Sequence, residues 1–359
     1  MLTQTFRIMN TNNPNPNFVH NKFKLNGFHL TADDLCRVAY SFIKEGDAFE
    51  KHIGMFILDW FDNKPYVQMQ TSGTTGTPKT IRVQKQAMVN SAIATGEYFN
   101  MGHSIKALHC LPTQYVAGKM MLVRAFILGW DMDIAEPTAT PLDRNTTVYD
   151  FAAMVPLQAQ QSIDKLNQVK TLILGGAKVS SALAKQLDGL QTEVYETYGM
   201  TETITHIAAK HIDDAAFEAL PNITLSTDER GCLVIHADNL TNEPVVTNDV
   251  VDIINKTHFI WLGRHDNVIN SGGIKLYPEQ VEEKLAAHIN RRYFVKGMPD
   301  EALGEKLVLV IEGDKYDLDP AVFSGLDKYE KPKEVLFADK FSETGSGKLQ
   351  RAETLKNLV

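Results

Sequence analysis

The sequence has few cysteines, no long hydrophobic run and no excess of positive charge. Its three cysteines, Cys36, Cys110 and Cys232, are widely separated and show no CxxC spacing. This argues against a disulfide framework or a cysteine-rich metal cluster and favours a reducing cytoplasm. The most apolar segment, MMLVRAFILGW (120–130), is short and interrupted by Arg124, so no membrane span is predicted. The net charge of −8 gives no reason to expect a nucleic acid as partner.

The remaining bulk properties are those of an ordinary globular protein. The chain has 359 residues, 43% hydrophobic and 22% charged, which allows two domains. The start, MLTQTFRIMN, lacks a cationic region followed by an apolar run, so no secretory signal peptide is predicted. The sequence shows neither an internal repeat nor a low-complexity tract.

Strand and helix patterns alternate through the first part of the chain. Four segments are typical of strands: YVQMQT (66–71), ALHCLP (107–112), VKTLILGG (169–176) and EVYETYG (193–199). Segments with helical spacing separate them. Alternation of this kind predicts an α/β fold, with a mostly parallel sheet covered by helices on both faces.

The pattern changes at about residue 222. Short strands separated by turn residues predict a small antiparallel or barrel-like part. A helix with Val281, Leu285 and Ile289 on one stripe follows, and then three more strands. We therefore predict an N-terminal domain over residues 1–265 and a small α+β domain over 266–359.

The segment QTSGTTGTPKT (70–80) resembles a phosphate-binding loop. A Walker loop requires a glycine directly before its lysine, but this chain has Pro78 before Lys79. Proline has no backbone N–H to offer a phosphate. Gly73 and Gly76 would still allow close backbone approach, and the hydroxyls between them can donate to phosphate oxygens. The alternative is a polar surface turn.

Five further segments carry chemistry-bearing residues, and each alone has an ordinary structural explanation. They are LGGAKVS (174–180), YETYGMTET (195–203), TND (247–249), WLGRHDNVINSGGIKLYPEQVE (261–282) and ETGSGKLQR (343–351). The second is the densest: Tyr198 could stack on a base, Thr201 could bond a phosphate, and Glu202 could hold Mg²⁺. Its alternative is a strand end with a satisfied Thr–Glu pair.

In this order and spacing, the segments resemble the ANL superfamily of adenylate-forming enzymes, from Tyr66 to Arg351. The resemblance implies ATP, Mg²⁺ and coenzyme A as partners, the last as a substrate. It implies a loop that grips the ATP β,γ-phosphates, formed by Thr71, Ser72, Gly73, Thr74, Thr75, Gly76, Thr77 and Lys79. It implies an adenine and ribose site at Gly175, Gly176, Ala177, Tyr198, Gly199, Asp249 and Arg264.

The resemblance also implies the catalytic groups. Thr201 would contact the α-phosphate, Glu202 would coordinate Mg²⁺, and Lys348 would be the adenylation lysine. Asp266 would be the hinge of a mobile C-terminal domain. Gly272 and Gly273 would lie on the thioester-forming face. A lysine on a mobile domain suits two half-reactions in one active site, because rotation removes it after the first.

Two departures from the superfamily pattern bear on the acid. Only seventy residues precede the glycine loop, and short members of this kind resemble o-succinylbenzoate–CoA ligases of menaquinone biosynthesis. The superfamily commonly has LP-x-x-H-x-x-G, but this chain has LPTQYVAGK, with Tyr115 at the histidine position and Lys119 after the glycine. A buried cation suits a substrate with a second carboxylate, because an unpaired buried carboxylate is costly.

We therefore predict an acid pocket formed by Tyr115, Lys119 and His206, with Arg124 as a second choice for the cation. Lys119 could instead extend to the surface, and His206 could be a neutral core histidine. Another aryl or small-acid CoA ligase is the main alternative function. Three other functions fit the sequence less well: transfer of the acyl group to a carrier protein, non-catalytic nucleotide binding and a kinase-like NTPase activity. The sequence does not decide whether the protein forms a homodimer.

Overall fold

A computed structural model describes residues 14–70, 80–143, 146–343 and 349–358. Its helices are α1 Ala32–Glu45, α2 Ala48–Trp60, α3 Lys85–Tyr98, α4 Val116–Leu128, α5 Pro156–Gln161, α6 Ser181–Leu187, α7 Pro278–Leu285 and α8 Arg351–Lys356. Its first ten strands are β1 Lys24–Leu25, β2 Phe28–His29, β3 Tyr66–Gln70, β4 Thr80–Gln84, β5 Lys106–His109, β6 Asp131–Ile134, β7 Tyr149–Met154, β8 Val169–Leu174, β9 Glu193–Gly199 and β10 His206–His211. The others are β11 Phe217–Ala219, β12 Thr224–Thr227, β13 Cys232–His236, β14 Val245–Ile253, β15 His258–Arg264, β16 Ile269–Ser271, β17 Ile274–Leu276, β18 Tyr293–Asp300, β19 Gly304–Glu312 and β20 Glu334–Ala338.

Helix α1 shows how local signals fix an element. The Thr31 hydroxyl accepts from the backbone N–H of Asp34, whose carboxylate accepts from the Thr31 N–H, and Gly46 follows the last turn. This capping box satisfies backbone donors at the start of the helix, which the Thr31 cap, the acidic first turn and Gly46 after the last turn all favour. Helix α2, which was not predicted, begins directly afterwards, where the Asp47 N–H donates to the Glu50 carboxylate at 2.8 Å.

One large sheet organises most of the chain. Its order is β12-β13-β14-β15-β11-β10-β9-β8-β7-β5-β6-β1-β2. Pairs from β6 through β5, β7 and β8 to β9 are parallel, whereas pairs from β9 to β12 are antiparallel. The predicted α/β class is therefore confirmed. The antiparallel strands after residue 222 extend the same hydrogen-bonded sheet.

Helix α4 is almost wholly enclosed, since residues 120–128 are all buried. It packs with α3 and with the aromatic core around Phe126 and Trp130. Arg124, in the middle of this helix, is thereby carried into the interior.

The C-terminal strands form a second, smaller sheet, in which β18, β19 and β16 are antiparallel and β20 is parallel to β19. Helix α7 packs on it through Val281 and Leu285, and it ends four residues before the predicted Ile289. The domain boundary at residue 265 stays a prediction. No helix within the described residues is long and apolar enough to cross a membrane.

Candidate active site

A cavity of about 290 Å³ lies at the carboxyl ends of the parallel strands β7, β8 and β9. Ligands of open α/β sheets bind in this place, beyond the carboxyl ends of the strands. Val116, Ala117 and Arg124 of α4 and the turn between β9 and β10 form its other walls. The cavity therefore joins three segments that were separate candidates in the sequence.

Two predicted glycines form the turn after β8. Gly175 donates its N–H to the Met154 carbonyl at 3.1 Å, and a Cβ there would lie 2.9 Å from the Thr197 hydroxyl. Gly176 has φ +82°, a conformation that glycine adopts without steric cost. Both line the cavity, while the predicted Ala177 is exposed beside them. The turn leaves backbone open for a flat ligand to approach.

The turn after β9 carries Thr201 and Glu202 in one turn of 3₁₀ helix, Thr201–Thr203. The Thr203 hydroxyl accepts from the Met200 N–H at 3.0 Å and lies 2.9 Å from the Thr205 carbonyl. Ile204 follows with φ 71°, a conformation that costs a β-branched residue free energy. Such backbone strain clusters at functional sites. Thr201 lines the cavity, as does Gly199.

Arg124 is the cation that faces this cavity. Its side chain is 2% exposed, and burial lowers the pKa of Arg124 to about 9, so it stays charged at neutral pH. Its guanidinium lies 3.3 Å from the Thr95 hydroxyl and 3.4 Å from the Thr205 hydroxyl. No carboxylate among the described residues pairs with it. A buried cation without a counter-ion is costly, unless a ligand supplies the negative charge.

His206 stands next to this guanidinium. Arg124 Nη2 lies 3.3 Å from His206 Nδ1, and because arginine can only donate, Nδ1 must be the acceptor. Burial, and then the charge of Arg124, hold the pKa of His206 well below its usual range. The neutral ring therefore carries its proton on Nε2, a buried donor that has no partner within the described part of the chain.

The two cations predicted for the acid pocket lie in different surroundings. The Lys119 ammonium donates to the Gln114 carbonyl at 2.9 Å and lies over the Phe56 ring, and Lys119 does not line the cavity. Tyr115 is 62% exposed and does not line it either. Five positions on a helix are about 140° apart around its axis, so Lys119 and Arg124 point to different sides.

The predicted ribose residues form a second cluster. Asp249 is 6% exposed; its Oδ2 accepts from the Tyr198 hydroxyl at 2.7 Å and its Oδ1 from Trp261 Nε1 at 3.2 Å. Arg264, paired with Asp249 in the β14–β15 register, places Nη1 3.6 Å from Oδ1. Burial and the nearby Asp249 charge raise the pKa of Tyr198, so its hydroxyl stays a donor.

The sequence profile of AMP-binding enzymes matches residues 59–250, more than half of the chain. The chain belongs to this family. It is also similar to the crystal structure of an acyl-CoA synthetase (AMP-forming)/AMP-acid ligase II-like protein from Dyadobacter fermentans. The identity is 36%, the match covers 90% of this chain and 98% of that one, and the TM-score is 0.61.

Two further relatives of this AMP-binding chain carry specific names. It is 27% identical over 321 residues to a 2-succinylbenzoate–CoA ligase of Staphylococcus aureus, covering 79% of this chain. The chain spans 65% of that relative's length. The MenE structure from Bacillus subtilis, in complex with ATP and a magnesium ion, has a TM-score of 0.69 at 20% identity, covering 80% of this chain and 69% of that one. That likeness shows the shared α/β fold.

The carboxylate predicted to hold Mg²⁺, Glu202, is exposed at the cavity's turn. The described residues contain no group of three or more His, Cys, Asp or Glu that could hold a metal ion. Mg²⁺ in nucleotide sites commonly uses one or two carboxylates, completed by phosphate oxygens and water. A single exposed glutamate beside the predicted phosphate site fits that requirement.

The remaining predicted residues of this AMP-binding chain lie elsewhere or outside the described residues. Asp266 accepts from Asn248 Nδ2 at 3.2 Å. Gly272 and Gly273 have φ +58° and +82° and form the tight exposed turn between β16 and β17. The phosphate loop, 71–79, and Lys348 fall outside the described residues. All of these assignments stay predictions.

Sequence reasoning missed Trp261 and ranked Arg124 second. Arg124 lies seven positions after Ala117, on the same side of α4, and this helical spacing was the available signal for its place in the cavity wall. The contact of Trp261 with Asp249 had no such signal. The β14–β15 register is irregular between Val250 and Val251, and Trp261 lies opposite Val251. Such an irregularity changes the direction of nearby side chains, and the sequence does not predict it.

Proposed function

We propose that this protein is an ATP-dependent acid–CoA ligase that acts on o-succinylbenzoate. In the first step a carboxylate oxygen attacks the α-phosphorus of ATP, the bond from that phosphorus to the oxygen that bridges to the β-phosphate breaks, and this oxygen leaves as part of pyrophosphate. In the second step the thiol of coenzyme A attacks the acyl carbon, and AMP leaves. Membership of the AMP-binding family supports the first step, and the names of the relatives support the second.

The nucleotide would lie across the carboxyl ends of β8 and β9. The glycine turn at 175–176 would receive the adenine, and Asp249 with Arg264 would hold the ribose hydroxyls. Thr201 would donate to the α-phosphate. Mg²⁺ at Glu202 would neutralise phosphate charge, and Lys348 with the loop 71–79 would supply further positive charge. The complex of the Bacillus subtilis MenE with ATP and a magnesium ion supports both partners.

The observation that carries the acid's identity is the unpaired charge of Arg124. The reacting carboxylate would lie near Thr201, which lines the cavity and is only half-buried. A second carboxylate at the buried end would pair with Arg124 and could also accept from His206 Nε2. o-Succinylbenzoate has an aromatic ring and two carboxylates, and the apolar wall around Leu111, Val116 and Ile173 suits its ring.

The test is pyrophosphate release with Mg-ATP, with and without coenzyme A, over four acids. These are o-succinylbenzoate, benzoate, a short fatty acid and a long one. We expect strong preference for o-succinylbenzoate and turnover that depends on coenzyme A. Preference for another acid would refute the substrate and keep the reaction class. Absence of release with all four, together with absence of ATP binding, would refute the proposed function.

A further inference from the structure

Helix α7 of the C-terminal part is held against the strand that leads to the predicted ribose site. Gln280 Nε2 donates to the carbonyls of Trp261 and Leu262, both at 3.1 Å. The Glu283 carboxylate accepts from Lys178 at 2.7 Å and from the backbone N–H of Ser181 at 3.2 Å. These contacts tie α7 to β15 and to the segment that follows the glycine turn.

Trp261 takes part in both sets of contacts. Its carbonyl accepts from Gln280, and the Lys178 ammonium lies 5.6 Å from the centroid of its ring. Its indole N–H donates to Asp249 Oδ1 at 3.2 Å. One half-buried residue therefore touches the docked helix and the carboxylate predicted to bind ribose.

The hydrogen bond from Trp261 is one of two that orient the Asp249 carboxylate. Each carboxylate oxygen can accept about two hydrogen bonds. Oδ2 receives one from Tyr198 and Oδ1 one from Trp261. Arg264 Nη1, at 3.6 Å from Oδ1, is beyond hydrogen-bond distance, so one acceptor position on each oxygen is left, which matches the two neighbouring hydroxyls of a ribose. The two donors fix the plane of the carboxylate, and the Trp261 donor comes from the strand that α7 holds.

We propose that Trp261 is a positioning residue that couples the docking of α7 to the nucleotide site through Asp249. The inference rests on the proposed function in assigning Asp249 to the ribose. Coupling is reciprocal. Docked α7 therefore strengthens ATP binding, and bound ATP strengthens the docking of α7.

The first experiment compares Trp261→Phe with Trp130→Phe. The phenylalanine keeps an aromatic ring but removes the indole N–H. Trp130 is a fair control because its N–H is buried and has no hydrogen bond within the described residues. We expect Trp261→Phe to raise the Kd and KM for ATP about tenfold, because loss of a hydrogen bond to a charged group costs about this much. The KM for the acid should not change, and Trp130→Phe should bind ATP like the wild type.

The second experiment measures the coupling itself in a double-mutant cycle. Gln280→Ala loosens α7 and should raise the Kd for ATP severalfold in the wild-type background. In Trp261→Phe it should have little further effect, because the connection to Asp249 is already broken. Lys284→Ala is the matched control, since Lys284 also lies on α7 but pairs with Glu330. Full additivity of the two changes would overturn the coupling.

Asp249→Asn separates this inference from the proposed function. If Asp249→Asn weakens ATP binding strongly while Trp261→Phe binds ATP like Trp130→Phe, the ribose assignment stands and the role of Trp261 is refuted. If Asp249→Asn binds ATP like the wild type, the ribose assignment fails and the inference fails with it. Weakened binding in both Asp249→Asn and Trp261→Phe, with a non-additive cycle, supports the proposal.

Discussion

Two cations in this protein are almost fully buried, and their surroundings differ. Lys85, at the start of α3, and Arg124, in the middle of α4, are each 2% exposed. The Lys85 ammonium donates to the Asp62 carboxylate at 2.7 Å and to the Asp62 carbonyl at 2.9 Å. Arg124 has hydroxyls, a sulfur atom and an imidazole around it, with no carboxylate among the described residues.

We infer from this difference that the charge of Lys85 stabilises the fold, whereas the charge of Arg124 binds a ligand. Lys85 has its counter-ion in its own chain and fixes the connection between α2 and β3 to α3. Burial of Arg124 costs desolvation free energy that its hydrogen bonds offset only in part, because no carboxylate among the described residues pairs with it. Because Arg124 also lines the cavity, an anion bound there would offset the desolvation free energy. Each prediction below alters one side of this comparison.

The largest expected effect follows replacement of Arg124 by Met, which keeps a long apolar side chain. We expect kcat/KM for o-succinylbenzoate to fall about 100-fold or more, the cost of removing one partner from a buried charge pair. The rate with benzoate, which lacks the second carboxylate, should change little. The melting temperature should stay equal or rise.

Arg124→Lys is the matched control, because it keeps the charge and loses the two-pronged geometry of the guanidinium. It should retain part of the preference for the dicarboxylate. Equal losses with o-succinylbenzoate and benzoate in Arg124→Met, or a large drop in its melting temperature, would show that Arg124 is structural, like Lys85.

The second prediction concerns the wall that brings Thr205 and His206 to Arg124. A Cβ at Gly199 would lie 2.4 Å from the Thr205 carbonyl oxygen and 2.5 Å from the His206 Cα. Gly199→Ala must therefore shift the turn, and we expect kcat/KM to fall about tenfold or more, since small displacements of a site are costly. Gly102→Ala, where an added Cβ meets nothing within 4 Å, should behave like the wild type. Equal activity of the two variants would contradict this account.

The sequence predicted the elements on which these groups lie better than the contacts between them. Helix α1 and the strands β8 and β9 follow from capping residues and apolar periodicity, which act within a few positions. Helix α2 was missed, although Asp47 and Glu50 have the capping-box spacing. The α/β class followed from the alternation of strands and helices.

The site was predicted in part. Gly175, Gly199, Thr201 and His206 do line one cavity, because the carboxyl ends of neighbouring parallel strands share one edge of the sheet. Lys119 and Arg124 both carry a suitable charge, and both lie on α4. Which of them lines the cavity depends on the side of the helix that faces it. A buried cation finds its counter-ion through tertiary contacts, such as that between Lys85 and Asp62, which are 23 positions apart. Local sequence patterns do not predict contacts of this kind.

A smaller effect is expected from Lys85→Met, on stability and not on specificity. Removing the ammonium leaves the Asp62 carboxylate without its main partner, although Asp62 is 29% exposed and can still be hydrated. We expect the free energy of unfolding to fall by about 1–3 kcal/mol in urea titrations. The folded enzyme should keep the wild-type preference among acids. A change in that preference without a loss of stability would remove the distinction between the two cations.

The paired cation should also leave a small pH signature that the unpaired one lacks. Partial burial alone would raise the pKa of Asp62, but the hydrogen bonds from Lys85 and Lys64 outweigh it and lower the pKa from 3.8 to about 2. A lowered carboxylate pKa stabilises the folded state above the unfolded-state pKa and loses that contribution as pH falls through the folded value. Between pH 4 and pH 2, the difference in unfolding free energy between wild type and Lys85→Met should therefore shrink. The difference between wild type and Arg124→Met should not shrink over this range, because Arg124 has no carboxylate partner among the described residues and its charge instead opposes the protonation of His206.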